Sequence, residues 1–211
     1  MPGKVIAIGL NYKDHAAEAG VPLPERPVIF TKWTTSLIGN GETILIHKDV
    51  TQIDWEAELA VVIGKKASHV SEAEALNYVS GFTCMNDVTD REAQSKDGQW
   101  VRSKSYDTYG PIGPRVVPLS EIGDPHNLKI EARLNGKTVQ SSNTKNLIFS
   151  IPYLISYISA RCTLEAGDVI TTGTPHGVGA FLKPPVFMKD GDIIEIEIEK
   201  IGILRNPVKA E

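Results

Sequence analysis

Cysteine is scarce in this 211-residue chain: only Cys84 and Cys162 occur, and they lie far apart. Two isolated cysteines exclude a disulfide framework and a cysteine-based metal cluster, so a reducing, cytoplasmic setting is the simplest expectation. Long apolar runs are also missing. No segment approaches the roughly 20 apolar residues that a membrane-spanning helix needs, and residues 1–4 lead straight into a β-like run rather than a secretory apolar stretch. There is no surplus of basic charge either. The formal net charge of -4 gives nucleic acid and anionic membranes no electrostatic hold. What is present, 41% hydrophobic and 23% charged residues, is the make-up of a globular protein with length for one substantial core. The expectation is a single soluble domain over residues 1–211. A small acidic substrate stays compatible with the net charge, because a bound divalent cation supplies positive charge locally.

Residues 5–8 read as a short buried strand ended by Gly9, and residues 11–18 as a helix stopped at Gly20. Three prolines make 21–27 a loop before a strand at 28–32. Residues 56–63 (EAELAVVI) form the clearest strand, β-branched in its second half and closed by Gly64. Ser71 with Glu74 has capping-box spacing for a helix over 71–78. A strand over 81–87 then enters a polar stretch, 88–98, that begins as a helix. Asn135-Gly136 is a two-residue hairpin turn between strands at 128–134 and 137–140. Residues 147–160 form the longest helix, with Ile148, Ile151, Leu154, Ile155 and Ile158 on one face. Strands at 169–172, 193–198 and 202–208 complete the chain. Many short strands with few helices imply a β-rich α+β fold.

Glu56 and Glu58 lie two apart in a strand, so they point to the same face. A lone Glu-x-Glu reads more simply as a solvent face. Against that stand the flanking apolar run 59–63 and a third carboxylate, Asp87, at the end of another strand. Alone, Asp87 reads as a helix N-cap. Three carboxylates with water suit Mg²⁺ or Mn²⁺, hard ions that prefer oxygen ligands. His15 and Glu18 are spaced i, i+3, either a solvated pair or a histidine made more basic by its carboxylate. Lys104 is either a surface lysine or a cation facing the metal, and Arg91 and Gln94 fall a helical turn beyond Asp87. Residues 171–179 (TTGTPHGVG) form a glycine-bearing turn whose N–H groups suit anions or carbonyls. The phosphate-loop pattern and the Gly-x-Ser-x-Gly elbow are absent.

Taken in order, Gly9-Leu-Asn-Tyr-x-x-His15-x-x-Glu18, Trp55-Glu56-x-Glu58-Leu-x-Val-Val-Ile-Gly64, Asn86-Asp87-Val-Thr-x-Arg91 with Gln94, Trp100-x-x-x-Lys104-Ser-x-Asp107 and Gly167-Asp168-x-Ile-x-Thr-Gly-Thr-Pro-x-Gly-Val-Gly179 closely resemble the fumarylacetoacetate hydrolase family. The resemblance covers nearly the whole chain and corresponds to the family's catalytic domain. It implies a mixed β-roll or flattened barrel, usually a homodimer. It implies metal binding by Glu56, Glu58 and Asp87, and an acid–base dyad of His15 and Glu18 on a mobile lid over about 10–26. Lys104 becomes a catalytic polar group, with Arg91, Gln94, Gly173 and Thr174 at the substrate. The extra acidic ligand of the eponymous enzymes has no counterpart near Asn11-Tyr12, which points to smaller substrates.

The expected reaction is hydrolytic C–C cleavage of a small 2,4-dioxo acid, with water activated by His15 and the leaving enolate stabilised at the cation and Lys104. Decarboxylation of oxaloacetate and isomerisation of the 2-hydroxyhepta-2,4-diene-1,7-dioate type draw on the same residues and stay open. A non-catalytic β-rich binding domain is the remote alternative.

Overall fold

Strands form where β-branched or alternating segments favour a pleated, half-buried surface. In the computed structural model, which describes all 211 residues, they are β1 (Val5–Gly9), β2 (Val28–Lys32), β3 (Leu37–Ile38), β4 (Ile44–Ile46), β5 (Ile53–Asp54), β6 (Ala57–Ile63) and β7 (Val79–Asn86). The second half adds β8 (Thr89–Asp90), β9 (Gly110–Val117), β10 (Lys129–Leu134), β11 (Lys137–Asn143), β12 (Val169–Thr171), β13 (Ile193–Ile198) and β14 (Gly202–Ala210). The α-helices are short: α1 (Lys13–Ala19), α2 (Arg91–Asp97), α3 (Leu119–Ile122) and α4 (Ile151–Ser159). None is long and apolar enough to cross a membrane.

Seven strands in the order β2-β1-β12-β6-β7-β9-β3 form the larger sheet, five in the order β11-β10-β13-β14-β4 form the second, and β5 pairs with β8. Three of the pairings are parallel, β1 with β12, β3 with β9 and β14 with β4, so both large sheets are mixed. Strands β10 and β13 lie against β6, and β13 and β14 against β7. The result is the expected strand-rich α+β roll. Strand β13 shows how alternation builds it: Ile194, Ile196 and Ile198 point into the core while Glu195 and Glu197 point out to Arg133.

Strand β6 is covered on both faces, as its apolar run implied. Leu59, Val61 and Ile63 join the main core between the sheets. On the opposite face Ala60 packs with Val5, Met85 and Val169 in a small second cluster. Glu58 and Glu56 continue that second face, and this register positions the site.

Two local expectations change. Residues 72–78 wind as a 3₁₀ segment; the Ser71 hydroxyl donates to the Glu74 carboxylate (3.0 Å) and caps no backbone N–H. Helix α4 begins at Ile151, where Ser150 caps it and Pro152 occupies a first turn that needs no N–H. Ile148 therefore precedes the helix, and its N–H donates to the Asn11 carbonyl at 2.8 Å. Both cysteines are free. Cys84 is buried on β7, where burial pushes its thiol up to about 12, whereas Cys162 is exposed.

Ile196→Ala should cost about 2–5 kcal/mol by leaving a cavity between the sheets. A urea titration checks this: the midpoint should fall with an unchanged slope. An unchanged midpoint would show that Ile196 does not bridge the sheets.

Candidate active site

Antiparallel pairing of β6 with β7 sets Ala57 opposite Asn86, and the next step places Glu56 opposite Asp87, whose N–H donates to the Glu56 carbonyl at 2.9 Å. Directly opposed residues share a face. Glu58, two residues along β6, shares it too. The ligand atoms of Glu56, Glu58 and Asp87 lie within 4.8 Å of one another, and all three residues are buried. The solvent-face reading of Glu-x-Glu is thereby excluded. Asp87 is not an N-cap either; Asp90 caps α2, accepting N–H bonds from Glu92 and Ala93.

Three cations compensate these charges, Lys104 and Lys32 buried and Arg91 largely so. The Lys104 ammonium donates to Glu56 (2.9 Å), Asp87 (2.8 Å) and the Thr89 hydroxyl (2.8 Å). Lys32, from β2, donates to the other Asp87 oxygen at 2.7 Å and to the Lys104 carbonyl. Arg91 bridges Glu56 (2.7 Å) and Asp54 (2.8 Å). Burial opposes the charge on Glu56, but Lys104 and Arg91 outweigh it and hold its carboxyl at about 2. Burial likewise opposes the Lys104 charge, yet Asp87 and Glu56 raise its pKa. Glu58 differs. It forms no ion pair, and burial, then Asp87 and Glu56, push its carboxyl well above the usual range. Lys104 acts on it only from a distance, and its one hydrogen bond is accepted from the Gly173 N–H, at 2.9 Å.

His15 and Glu18 lie on α1 and meet as the i, i+3 spacing requires, Nδ1 to carboxylate at 3.0 Å. The second Glu18 oxygen accepts the Gly177 N–H at 2.9 Å. His15 lines a cavity of about 420 Å³ together with Glu56, Glu58, Arg91, Gln94 and Lys104. Thr174 is on its wall as well. The remaining wall is largely apolar, including Phe30, Trp100 and Phe181, and the Phe181 ring meets His15 edge-on at 5.7 Å. Arg91 keeps one terminal nitrogen buried without a partner. Two placements differ from expectation. Lys104 sits among the carboxylates rather than facing them across the cavity, and the Gly173 N–H is spent on Glu58.

Sequence reasoning missed Asp54, Lys32 and Gln140. Asp54 carries a signal, since it extends the i, i+2 series to 54, 56 and 58, although the strand breaks between β5 and β6. Lys32 offers only its place two residues beyond buried Phe30 on an edge strand. Gln140 holds the 174–176 turn through Thr174 (2.9 Å) and Pro175 (2.8 Å), and nothing in its local sequence marks it.

The donor set fits a divalent cation. Four buried carboxylates, Asp54 among them, face three cations, one negative charge in excess, and the excess falls on unpaired Glu58. A divalent ion held by Glu56, Glu58 and Asp87 relieves that repulsion and leaves one positive charge in excess, which suits an anionic substrate.

Residues 4–209 match the family model for the fumarylacetoacetate (FAA) hydrolase C-terminal domain. The chain belongs to the fumarylacetoacetate hydrolase family. Among its relatives, the mitochondrial oxaloacetate tautomerase Fahd2a of Rattus norvegicus is 47% identical over 98% of this chain, which spans 66% of the rat protein's length. The solved structure of 5-carboxymethyl-2-hydroxymuconate delta-isomerase from Mycobacterium smegmatis superposes with a TM-score of 0.89 at 43% identity, covering all of this chain and 80% of that one. A fumarylacetoacetate hydrolase from Exiguobacterium antarcticum superposes at 0.92 with 41% identity, covering all of this chain and 76% of the other. Relatives within the family thus carry the names of a tautomerase, an isomerase and a hydrolase.

Glu58→Gln removes the unpaired charge and keeps an acceptor for Gly173. A raised carboxyl pKa means that the folded state binds a proton the unfolded state has released, so without a cation the wild type loses stability as pH rises above the ordinary carboxylate range. The variant should escape that loss. Its metal-free melting temperature at pH 8 should exceed the wild type's, by about 2–4 °C per kcal/mol of relieved repulsion. The gain that Mn²⁺ gives the wild type should vanish. A variant that keeps the full Mn²⁺ gain would remove Glu58 from the ligand set.

Proposed function

We propose that this protein is a divalent-metal-dependent tautomerase or isomerase of small 2-oxo acids. The observation that carries the reading is that His15, paired with Glu18, shares one largely apolar cavity with Glu56 and Glu58 of the carboxylate trio. Glu56, Glu58 and Asp87 are the ligands, and Mg²⁺ or Mn²⁺ suits three carboxylates with further oxygen ligands. A cation held there supplies Lewis-acid polarisation of the substrate's keto oxygen.

The protein's own groups do the rest. Nδ1–H of His15 donates to Glu18, which fixes the tautomer and leaves Nε2 as a base. Nε2 takes a proton from the carbon beside the keto group. Returning it to oxygen yields the enol; returning it to a remote carbon of a conjugated acid shifts a double bond. The free Arg91 nitrogen binds the substrate carboxylate, with Gln94 and Thr174 beside it. Lys104 holds Glu56 and Asp87 in place through its three donated bonds. Phe30, Trp100 and Phe181 limit water at the reacting carbon, which favours proton transfer over hydrolysis.

The expected hydrolytic cleavage of an acylpyruvate becomes the second reading, supported by the Exiguobacterium hydrolase. The tautomerase and isomerase names among relatives at 43% to 47% identity support the first. The reading includes a single catalytic domain, a lid over about 10–26 and a homodimer.

Keto–enol exchange of oxaloacetate, followed by enol absorbance, should be fast with Mg²⁺ or Mn²⁺ and lost in chelator. His15→Ala should slow it about 10²–10⁴-fold. Faster release of pyruvate from acetylpyruvate than exchange of oxaloacetate would reverse the order of the two readings.

A further inference from the structure

Asp54 lies outside the carboxylate trio, yet it is fully buried and accepts four hydrogen bonds. One oxygen takes the N–H of Trp55 (2.8 Å) and of Gly179 (2.7 Å). The other takes the N–H of Ala180 (2.9 Å) and Nε of Arg91 (2.8 Å). A counter-ion for Arg91 would need only one of these contacts. Two of the four instead fasten a turn whose far side faces the dyad.

That turn is built for close approach. A Cβ on Gly179 would stand 2.0 Å from the Val186 carbonyl oxygen and 2.6 Å from Asp54 itself, so only glycine brings the N–H this near. Trp55 grips the other end, its indole N–H donating to the Gly177 carbonyl at 3.2 Å. Between these holds the turn offers the Gly177 N–H to Glu18 and then the Phe181 ring to His15. On its opposite side Asp54 orients Arg91, which also binds Glu56 at 2.7 Å and Gln94 at 3.0 Å.

Helix α1 needs such a seat. It has seven residues, buries only Ala16 and lacks a side-chain N-cap, so it is weakly held by itself. Its other anchor is Asp14, which accepts bonds from Ser142 and Asn146 and touches neither Arg91 nor the turn.

We propose that Asp54 is a positioning residue that sets the His15–Glu18 dyad and the Arg91 guanidinium together, through the turn at 177–181. One side chain thereby ties the group that moves the proton to the group that orients the acid. The kinetic part of this idea rests on the function proposed above; the structural part does not.

Asp54→Asn keeps the size but replaces one acceptor by an NH₂ donor, so either the turn or Arg91 must let go. Amide hydrogen exchange is measured first, on the whole chain. Exchange should rise in both 13–19 and 177–181 while β6 and β7 stay protected, and the Mn²⁺-induced gain in melting temperature should persist. Asp14→Asn should raise exchange in 13–19 alone. Trp55→Phe, which removes the indole bond to Gly177 along with part of a buried ring, is the second variant should Asp54→Asn fold poorly, and it should loosen the same two segments. Turnover of oxaloacetate tests the kinetic part. Asp54→Asn should lower kcat/KM about 10²-fold in the wild type, and by less than tenfold on a His15→Ala background, where a seat for His15 no longer matters. Uniformly raised exchange, or none in 13–19, would overturn the coupling. Equal losses with and without His15 would overturn the positioning role. Absence of any oxaloacetate turnover in the wild type would count against the proposed function and leave the exchange result standing.

Discussion

The Lys104 ammonium lies between Glu56 and Asp87 and donates to both. Without it, three carboxylates could not share one buried face: each would be desolvated beside two like charges. Lys32 and Arg91 complete the compensation from other parts of the chain, so an edge strand, a loop and a helix start all converge on the first residues of β6 and the end of β7. Replacing any one cation leaves an uncompensated charge in a dry site, which costs far more than losing a surface pair. The positions of β2, α2 and the 100–105 loop are therefore conditions for the cluster as well as parts of the fold.

Glu58 escapes this compensation, and that gives the site its chemical bias. Balanced completely by lysine and arginine, the trio would be an inert polar core. One unpaired carboxylate beside two paired ones creates a preference for a small, multiply charged cation over another side chain. The cavity repeats this division, with Glu56, Glu58, Arg91 and Lys104 in one part of its lining, His15 from α1 in another and apolar side chains over most of the rest.

Much of this is legible in the sequence because its signals are periodic. Alternation in β13 and the apolar half of β6 fix which faces are buried, and the Glu56–Glu58 spacing makes a shared face unavoidable once β6 is a strand. The His15–Glu18 contact follows from helix geometry. Other features depend on distance in space. Lys32 lies 55 residues from Asp87 and 72 from Lys104, separations at which no local pattern operates. Asp54 hides in a broken strand, where its partners at 91, 179 and 180 are set by tertiary packing. The capping-box spacing at Ser71 misleads: the two side chains meet each other, no backbone N–H is capped, and 72–78 winds as a 3₁₀ segment.

Cys84 lies on β7, three residues before Asp87 and two before the strand ends, enclosed between the sheets with its thiol pushed up to about 12. Alkylating reagents meet the exposed Cys162 first, and Cys84 becomes reactive only when β7 leaves the sheet. The chain therefore carries its own clock for the opening of the strand that leads into Asp87. A cation held by Glu56, Glu58 and Asp87 would slow that clock, because β7 could not leave β6 without releasing it.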